Sequence, residues 1–71
     1  MIRINESNIK SLKPGDIIHN DLDNDLEKTL YVILYRKTDI HYDRYFILSL
    51  KSYNVFFAYK EWLIDHYSLI Q

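Results

Sequence analysis

One proline and one glycine occur in this chain, and they are adjacent, in Leu12-Lys13-Pro14-Gly15-Asp16-Ile17-Ile18. The proline ring holds φ near the value wanted at the second position of a tight turn, and glycine accepts the positive φ that often follows. Asp16 then leads into the β-branched pair Ile17-Ile18, so the chain turns sharply and enters a strand. Asp16 is expected to bond the backbone of that turn rather than to act as an acid. A turn-then-strand start of this kind suits a small β-barrel.

Seventy-one residues make one domain, spanning 1–71. A domain this small buries only about 60% of the surface its unfolded chain exposes. Disulfides and cysteine-based zinc sites are excluded as supports, because the chain has no cysteine. Apolar packing has to carry the stability, and seven Tyr, three Phe and one Trp supply large apolar side chains for it. Assembly into a homo-oligomer is the other usual remedy, and the composition permits it.

Nine Lys and Arg stand against ten Asp and Glu, for a net charge of −1. No strong field for nucleic acid or anionic lipid follows from that balance. No apolar run reaches the length of a membrane-spanning helix. Met1-Ile2-Arg3-Ile4-Asn5-Glu6 lacks the apolar core of a signal peptide, so a cytoplasmic protein is expected. Residues with AT-rich codons (Ile, Asn, Lys, Tyr, Asp) are abundant, which points to an AT-rich bacterial or phage genome.

Along the chain, two readings of the start are open. Ser7 is a candidate cap for a short helix from Asn8 to Leu12, and Ile2 and Ile4 alternate as in a strand. Asp16 to His19 reads as a strand, followed by a polar, acidic loop from Asn20 to Lys28. Leu30 to Tyr35 is apolar on both faces, as a central strand would be. Arg36 to Asp39 offers a turn, with a second polar patch at His41 to Arg44. Tyr45 to Leu50 and Val55 to Tyr59 form a hairpin around Lys51 to Asn54. Lys60 to Asp65 is long enough for one helical turn, and His66 to Ile70 for a last strand. The expected class is mainly all-β, with five or six short strands and a helical turn before the last.

The order Lys13-Pro14-Gly15-Asp16-Ile17-Ile18, a long loop, paired strands, a Glu61-Trp62-Leu63 turn and a final Tyr67-Ser68-Leu69-Ile70 strand resembles the small Src-homology-3-like barrels. The likeness is to the stand-alone type of phages and bacteria, and it runs from Leu12 to Ile70. It implies a closed or nearly closed barrel. Such barrels include ligand-binding, RNA- and DNA-binding modules, toxins and inhibitors, so the fold leaves the function open.

Little in the chain points to catalysis. Asp21-Leu22-Asp23-Asn24-Asp25 spaces carboxylates like a calcium loop, but positions six and twelve, which need Gly and Glu, hold Leu26 and Val32. His19, His41 and His66 lie 22 and 25 residues apart, with no metal-ligand spacing. A single glycine leaves no phosphate loop. Ser7, Ser11, Ser49, Ser52 and Ser68 show no nucleophile-elbow setting. Small toxin ribonucleases share the Gly-Asp-Ile start but typically carry an Arg-Pro pair that is missing here; a ribonuclease of that class stays as the second alternative to the binding readings below.

Two binding readings stand ahead of it. Tyr35-Arg36-Lys37 and His41-Tyr42-Asp43-Arg44-Tyr45 mix rings with basic groups, as a nucleic-acid surface does. Against that, Tyr31, Tyr45 and Phe46 suit a core, and the net charge disfavours nucleic acid. Seven tyrosines exceed what a small core can bury with satisfied hydroxyls, so some must face outward. Tyr and Arg are frequent interface anchors. The expectation is therefore a non-enzymatic module that docks on another protein, with no cofactor, no metal and no membrane association. The contact residues expected are Tyr35, Arg36, Tyr42, Arg44 and Tyr53, with Trp62 in the core beside Leu63 and Ile64.

Overall fold

The computed structural model describes residues 1–22 and 29–70. Most of the acidic stretch that mimics a calcium loop, residues 23–28, lies outside them. The elements are β1 (Ile2–Arg3), a 3₁₀ turn (Ile9–Ser11), β2 (Ile17–Asn20), β3 (Leu30–Thr38), β4 (Asp43–Ser49), β5 (Val55–Tyr59), α1 (Lys60–Leu63) and β6 (Tyr67–Ile70). The strands form one antiparallel sheet in the order β1-β6-β2-β3-β4-β5. The mainly β class is thus observed, with the short helix before the last strand. The sheet is not closed by strand pairing: β1 and β5 are its two edges.

The Pro-Gly turn forms as the residues dictate. Gly15 has φ +94°, and the Asp16 N–H closes the turn on the Lys13 carbonyl at 3.1 Å. The Asp16 side chain accepts from the Lys13 backbone N–H at 3.0 Å and meets the Lys13 ammonium at 3.1 Å. Burial works to raise the Asp16 pKa, but the amide and ammonium of Lys13 outweigh it and hold the carboxyl below its usual value. The turn is then docked on β3 by two backbone bonds. Gly15 N–H donates to Ile33 C=O at 2.8 Å, and Ile33 N–H donates to Asp16 C=O at 2.9 Å.

Both readings of the first residues hold in series: a two-residue strand, then a short helical turn. The N-cap position of this turn is Asn8, not Ser7, and no side chain caps it; the bend leading into it is tied by Asn5. Its Oδ1 accepts from the N–H groups of Ser7 at 2.8 Å and Asn8 at 3.0 Å, while Asn8 Oδ1 accepts from Asn5 N–H at 2.9 Å. An Asx side chain reaches amides two and three residues ahead, and a serine two residues later cannot make the same pair.

β3 continues through Arg36, Lys37 and Thr38, where the residue types predict a turn, because these three pair with Tyr45, Arg44 and Asp43. The turn begins only at Asp39. Register in this ladder shifts between Ile33 and Tyr35, so Leu34 is an extra residue opposite β4.

One face of the sheet is the core. Ile18, Ile33, Tyr45, Ile47 and Ala58 are buried there against Ile4, Ile9 and Leu63, with Leu12, Tyr31, Ile64, Tyr67 and Leu69 packed around them. Ile9 comes from the 3₁₀ turn and Leu63 from α1, so the two short helical pieces serve as the lid on this face.

Two outcomes follow. Gly15→Ala meets no atom within 4 Å, so only its backbone is strained. The denaturation midpoint should fall by about 1–2 kcal/mol of stability, with native secondary structure retained. Burial raises the Tyr45 hydroxyl above its ordinary pKa, with small opposing effects from Arg36 and Asp43. The unfolded chain ionises this tyrosine near pH 10, so its contribution is complete below that pH and is lost as pH rises through the folded value. Urea titrations at about pH 8 and pH 11 should show a smaller alkaline loss in Tyr45→Phe than in the wild type.

Candidate functional site

The second face of β3, β4 and β5 carries the site. Side chains alternate across a strand, so Phe46 and Arg44 lie opposite in face to Tyr45 and Ile47. The β5 partners of Phe46 and Arg44 are Phe57 and Tyr59. On β3, plain alternation from Ile33 would put Tyr35 on the core face. The extra residue Leu34 reverses the faces, so Tyr35 pairs with Phe46 and Lys37 with Arg44.

A continuous run of rings results. Tyr35 stacks on Phe46 with centroids 4.5 Å apart and planes 11° from parallel. Phe46 meets Phe57 at 5.8 Å, Phe57 meets Tyr59 edge-on at 5.6 Å, and Tyr59 meets Trp62 edge-on at 5.5 Å. Tyr42 joins from the β3–β4 turn, 5.3 Å from Tyr59. Edge-to-face and offset pairs of this kind are worth about 0.5–1.5 kcal/mol each beyond their buried area. The run is therefore held in shape while much of it faces solvent: Tyr35 is 49% exposed, Tyr42 55% and Trp62 59%.

The Arg44 charge on this face is paired locally. The Arg44 guanidinium lies over the Phe57 ring at 5.8 Å and reaches Asp39 at 3.8 Å. The N–H groups of His41 and Tyr42 both donate to Asp39 at 2.8 Å. These two bonds, then the fields of Arg44 and Lys37, hold the Asp39 carboxyl below its usual pKa. Asp39 thus fixes the turn that presents Tyr42. Beside it lies an open cleft of about 530 Å³, bounded by Asp39, His41, Tyr42, Tyr59 and Glu61.

Of the five residues expected from sequence, Tyr35, Tyr42 and Arg44 belong to this face. Arg36 lies on the opposite face, over the Tyr45 ring at 5.8 Å and bonded to Asp43 at 3.0 Å. Tyr53 sits at the other end of β5 from Tyr42, in the β4–β5 turn, with φ +58° and 75% exposure. Trp62 belongs to the face and not to the core, which corrects the expectation that grouped it with Leu63. A single turn of helix points successive side chains about a quarter-circle apart, so Leu63 is buried while Trp62 faces out. Phe46, Phe57 and Tyr59 were not foreseen as site residues. Their alternation with Tyr45, Ile47 and Ala58 was a usable signal.

A second polar group lies near β1. Ser68 Oγ donates to Asp21 at 2.6 Å, and Arg3 stands 3.4 Å from the same carboxylate. The ring nitrogens of His19 meet Asn20 C=O at 3.3 Å and Met1 Sδ at 2.7 Å. Ser68 Oγ thus donates to the Asp21 carboxylate, which also lies 4.0 Å from His19 Nδ1, and not to the histidine ring as in a Ser–His nucleophile pair. Among the described residues, no three or more His, Asp and Glu side chains are grouped to hold a metal ion. No helix among them is long and apolar enough to cross a membrane.

Because its folded pKa is depressed, Asp39 stabilises the turn above the usual aspartate range, and that support is lost as pH falls through the folded value. Amide exchange read by NMR at neutral pH should be slow at Tyr42 in the wild type and fast in Asp39→Ala. Acidifying the wild type should bring its Tyr42 exchange towards that of the variant. Comparison with protein-family models, with curated proteins and with solved structures finds no match to this chain.

Proposed function

We propose that this chain is a non-enzymatic protein-binding module that docks on and modulates a partner through the aromatic face of β3, β4 and β5. The observation that carries the reading is the ring run from Tyr35 to Trp62, exposed on one face of a sheet whose other face is the core. A soluble surface gains nothing from so many clustered rings, whereas an interface does. Trp, Tyr and Arg are the residue types in which binding energy concentrates, and pre-ordered rings lose little entropy on docking. Arg44 adds directionality, held between Phe57 and Asp39. In fold, the order of turn, strands, helical turn and last strand supports an Src-homology-3-like barrel opened between β1 and β5.

A second reading has one observation in its favour. Lys37 and Arg44 are neighbours on the ring-bearing face, as basic groups are on surfaces that stack single-stranded nucleic acid. The ion pair of Arg44 with Asp39 and the net charge of −1 weigh against it.

Pull-down from a bacterial lysate should recover a defined partner with the wild type. Recovery should drop sharply with Trp62→Ala and with the Tyr42→Ala/Arg44→Ala double variant, each truncation costing about 2 kcal/mol or more of binding if it removes an anchor. Equal recovery by all three proteins sinks the face. Titration of Trp62 fluorescence with short oligonucleotides at low and high salt separates the second reading: binding that weakens steeply with salt supports nucleic acid.

A further inference from the structure

The two edges of the sheet are protected very differently. β1 is two residues long and carries Arg3. β5 reads Val55-Phe56-Phe57-Ala58-Tyr59, with no charge and no proline. Monomeric proteins guard their edges with short strands, charges or proline. β5 has none of these, and Val55, Phe56 and Phe57 are 57%, 37% and 40% exposed.

We propose that the free edge of β5 pairs antiparallel with the β5 edge of a second copy of this chain, about a two-fold axis at Phe57. The proposal shares Phe57 and Tyr59 with the docking face above but rests on the backbone edge of β5, not on that reading of the face.

Hydrogen-bond alternation fixes which groups are available. Ser49 N–H donates to Asn54 C=O at 3.0 Å, so the bonded pairs of the β4–β5 ladder are Ser49–Asn54, Ile47–Phe56 and Tyr45–Ala58. Val55, Phe57 and Tyr59 therefore aim their backbone groups away from β4, and among the described residues no strand lies on that side. With Phe57 opposite its own copy, each Phe57 exchanges both bonds with its counterpart. Each Tyr59 N–H meets a Val55 carbonyl.

Side chains match in the same register. On the outer face, Phe57 lies beside Phe57 and Val55 beside Tyr59, at cross-strand contact distance. On the core face, Phe56 stands opposite Ala58, the chain's one alanine, so a large ring meets a small gap. Sliding the pairing by two residues leaves part of each strand unpaired and removes this match. The contact is isologous, so it closes at two copies. The ring runs of the two copies would then join through Phe57 into one surface.

Area sets the strength. At roughly 200 Å² for a phenyl side chain, the exposed parts of Val55, Phe56 and Phe57 amount to about 250 Å² per copy. A long-lived complex buries about 800 Å² per partner, so a contact this small makes a weak, concentration-dependent dimer.

Sedimentation of the whole chain from about 10 μM to 1 mM tests it. The wild-type mass should rise from monomer towards dimer over that range. Val55→Lys, which places a charge on the exposed edge, should stay monomeric with an unchanged circular dichroism spectrum. In the wild type, hydrogen exchange at the Phe57 and Tyr59 amides should slow as concentration rises, while the Phe56 amide, turned towards β4, should not change. The Tyr42→Ala/Arg44→Ala variant should dimerise like the wild type, which keeps this test separate from the docking one. A wild type monomeric at about 1 mM overturns the proposal, and so does a dimer in which Phe57 exchange ignores concentration.

Discussion

Ile33 is the residue on which the rest of the sheet depends. Its N–H and C=O are both spent on the Pro-Gly turn, through Asp16 at 2.9 Å and Gly15 at 2.8 Å. Its side chain is 1% exposed in the core, opposite Ile47. One residue thus holds the turn, the second strand and the central strand together. Backbone bonds buried this way are costly to break, because each released group loses its partner away from water. The position of the lone glycine is explained here too: a residue with φ +94° brings its N–H up to β3 at the point where Ile33 can accept it.

The ladder changes register directly after Ile33. Before the extra residue Leu34, odd-numbered side chains of β3 face the core; after it, Tyr35 and Lys37 face out. A bulge bends and twists its strand as well as inverting its faces. The consequence for the surface is large. Without the inversion, Tyr35 would be turned to the core side opposite Tyr45, and Arg36 would stand opposite Arg44 on the outer face. With it, Tyr35 starts the outer ring run, and Arg36 is left on the core side at the end of the sheet, over Tyr45 and bonded to Asp43.

Electrostatics in this protein is local. Lys13 is paired with Asp16, Arg36 with Asp43, Arg44 with Asp39 and Arg3 with Asp21. Exposed pairs of this sort contribute little stability, typically under about 1 kcal/mol each. Their value lies in shape, since Asp16 and Asp39 each hold a turn by accepting backbone N–H groups. With Arg44 matched by Asp39, what the second face exposes is chiefly aromatic area.

Much of the architecture was legible in the residues alone. Pro14-Gly15 marks its turn by covalent geometry, and runs of β-branched and aromatic residues mark β2, β3, β4 and β5, because these side chains suit a pleated surface. One helical turn before a last strand was legible from segment length. β3 continuing to Thr38 and the open edges were not, since each depends on which distant backbone lies alongside. The site divides in the same way. The chain by itself determined that there are more rings than a small core can hold, and that Tyr42 and Arg44 sit at a hairpin end. Only the tertiary structure decided which rings share a face, because a single inserted residue in β3 inverts every side chain beyond it, and strand alternation cannot be read across an insertion that the sequence does not announce.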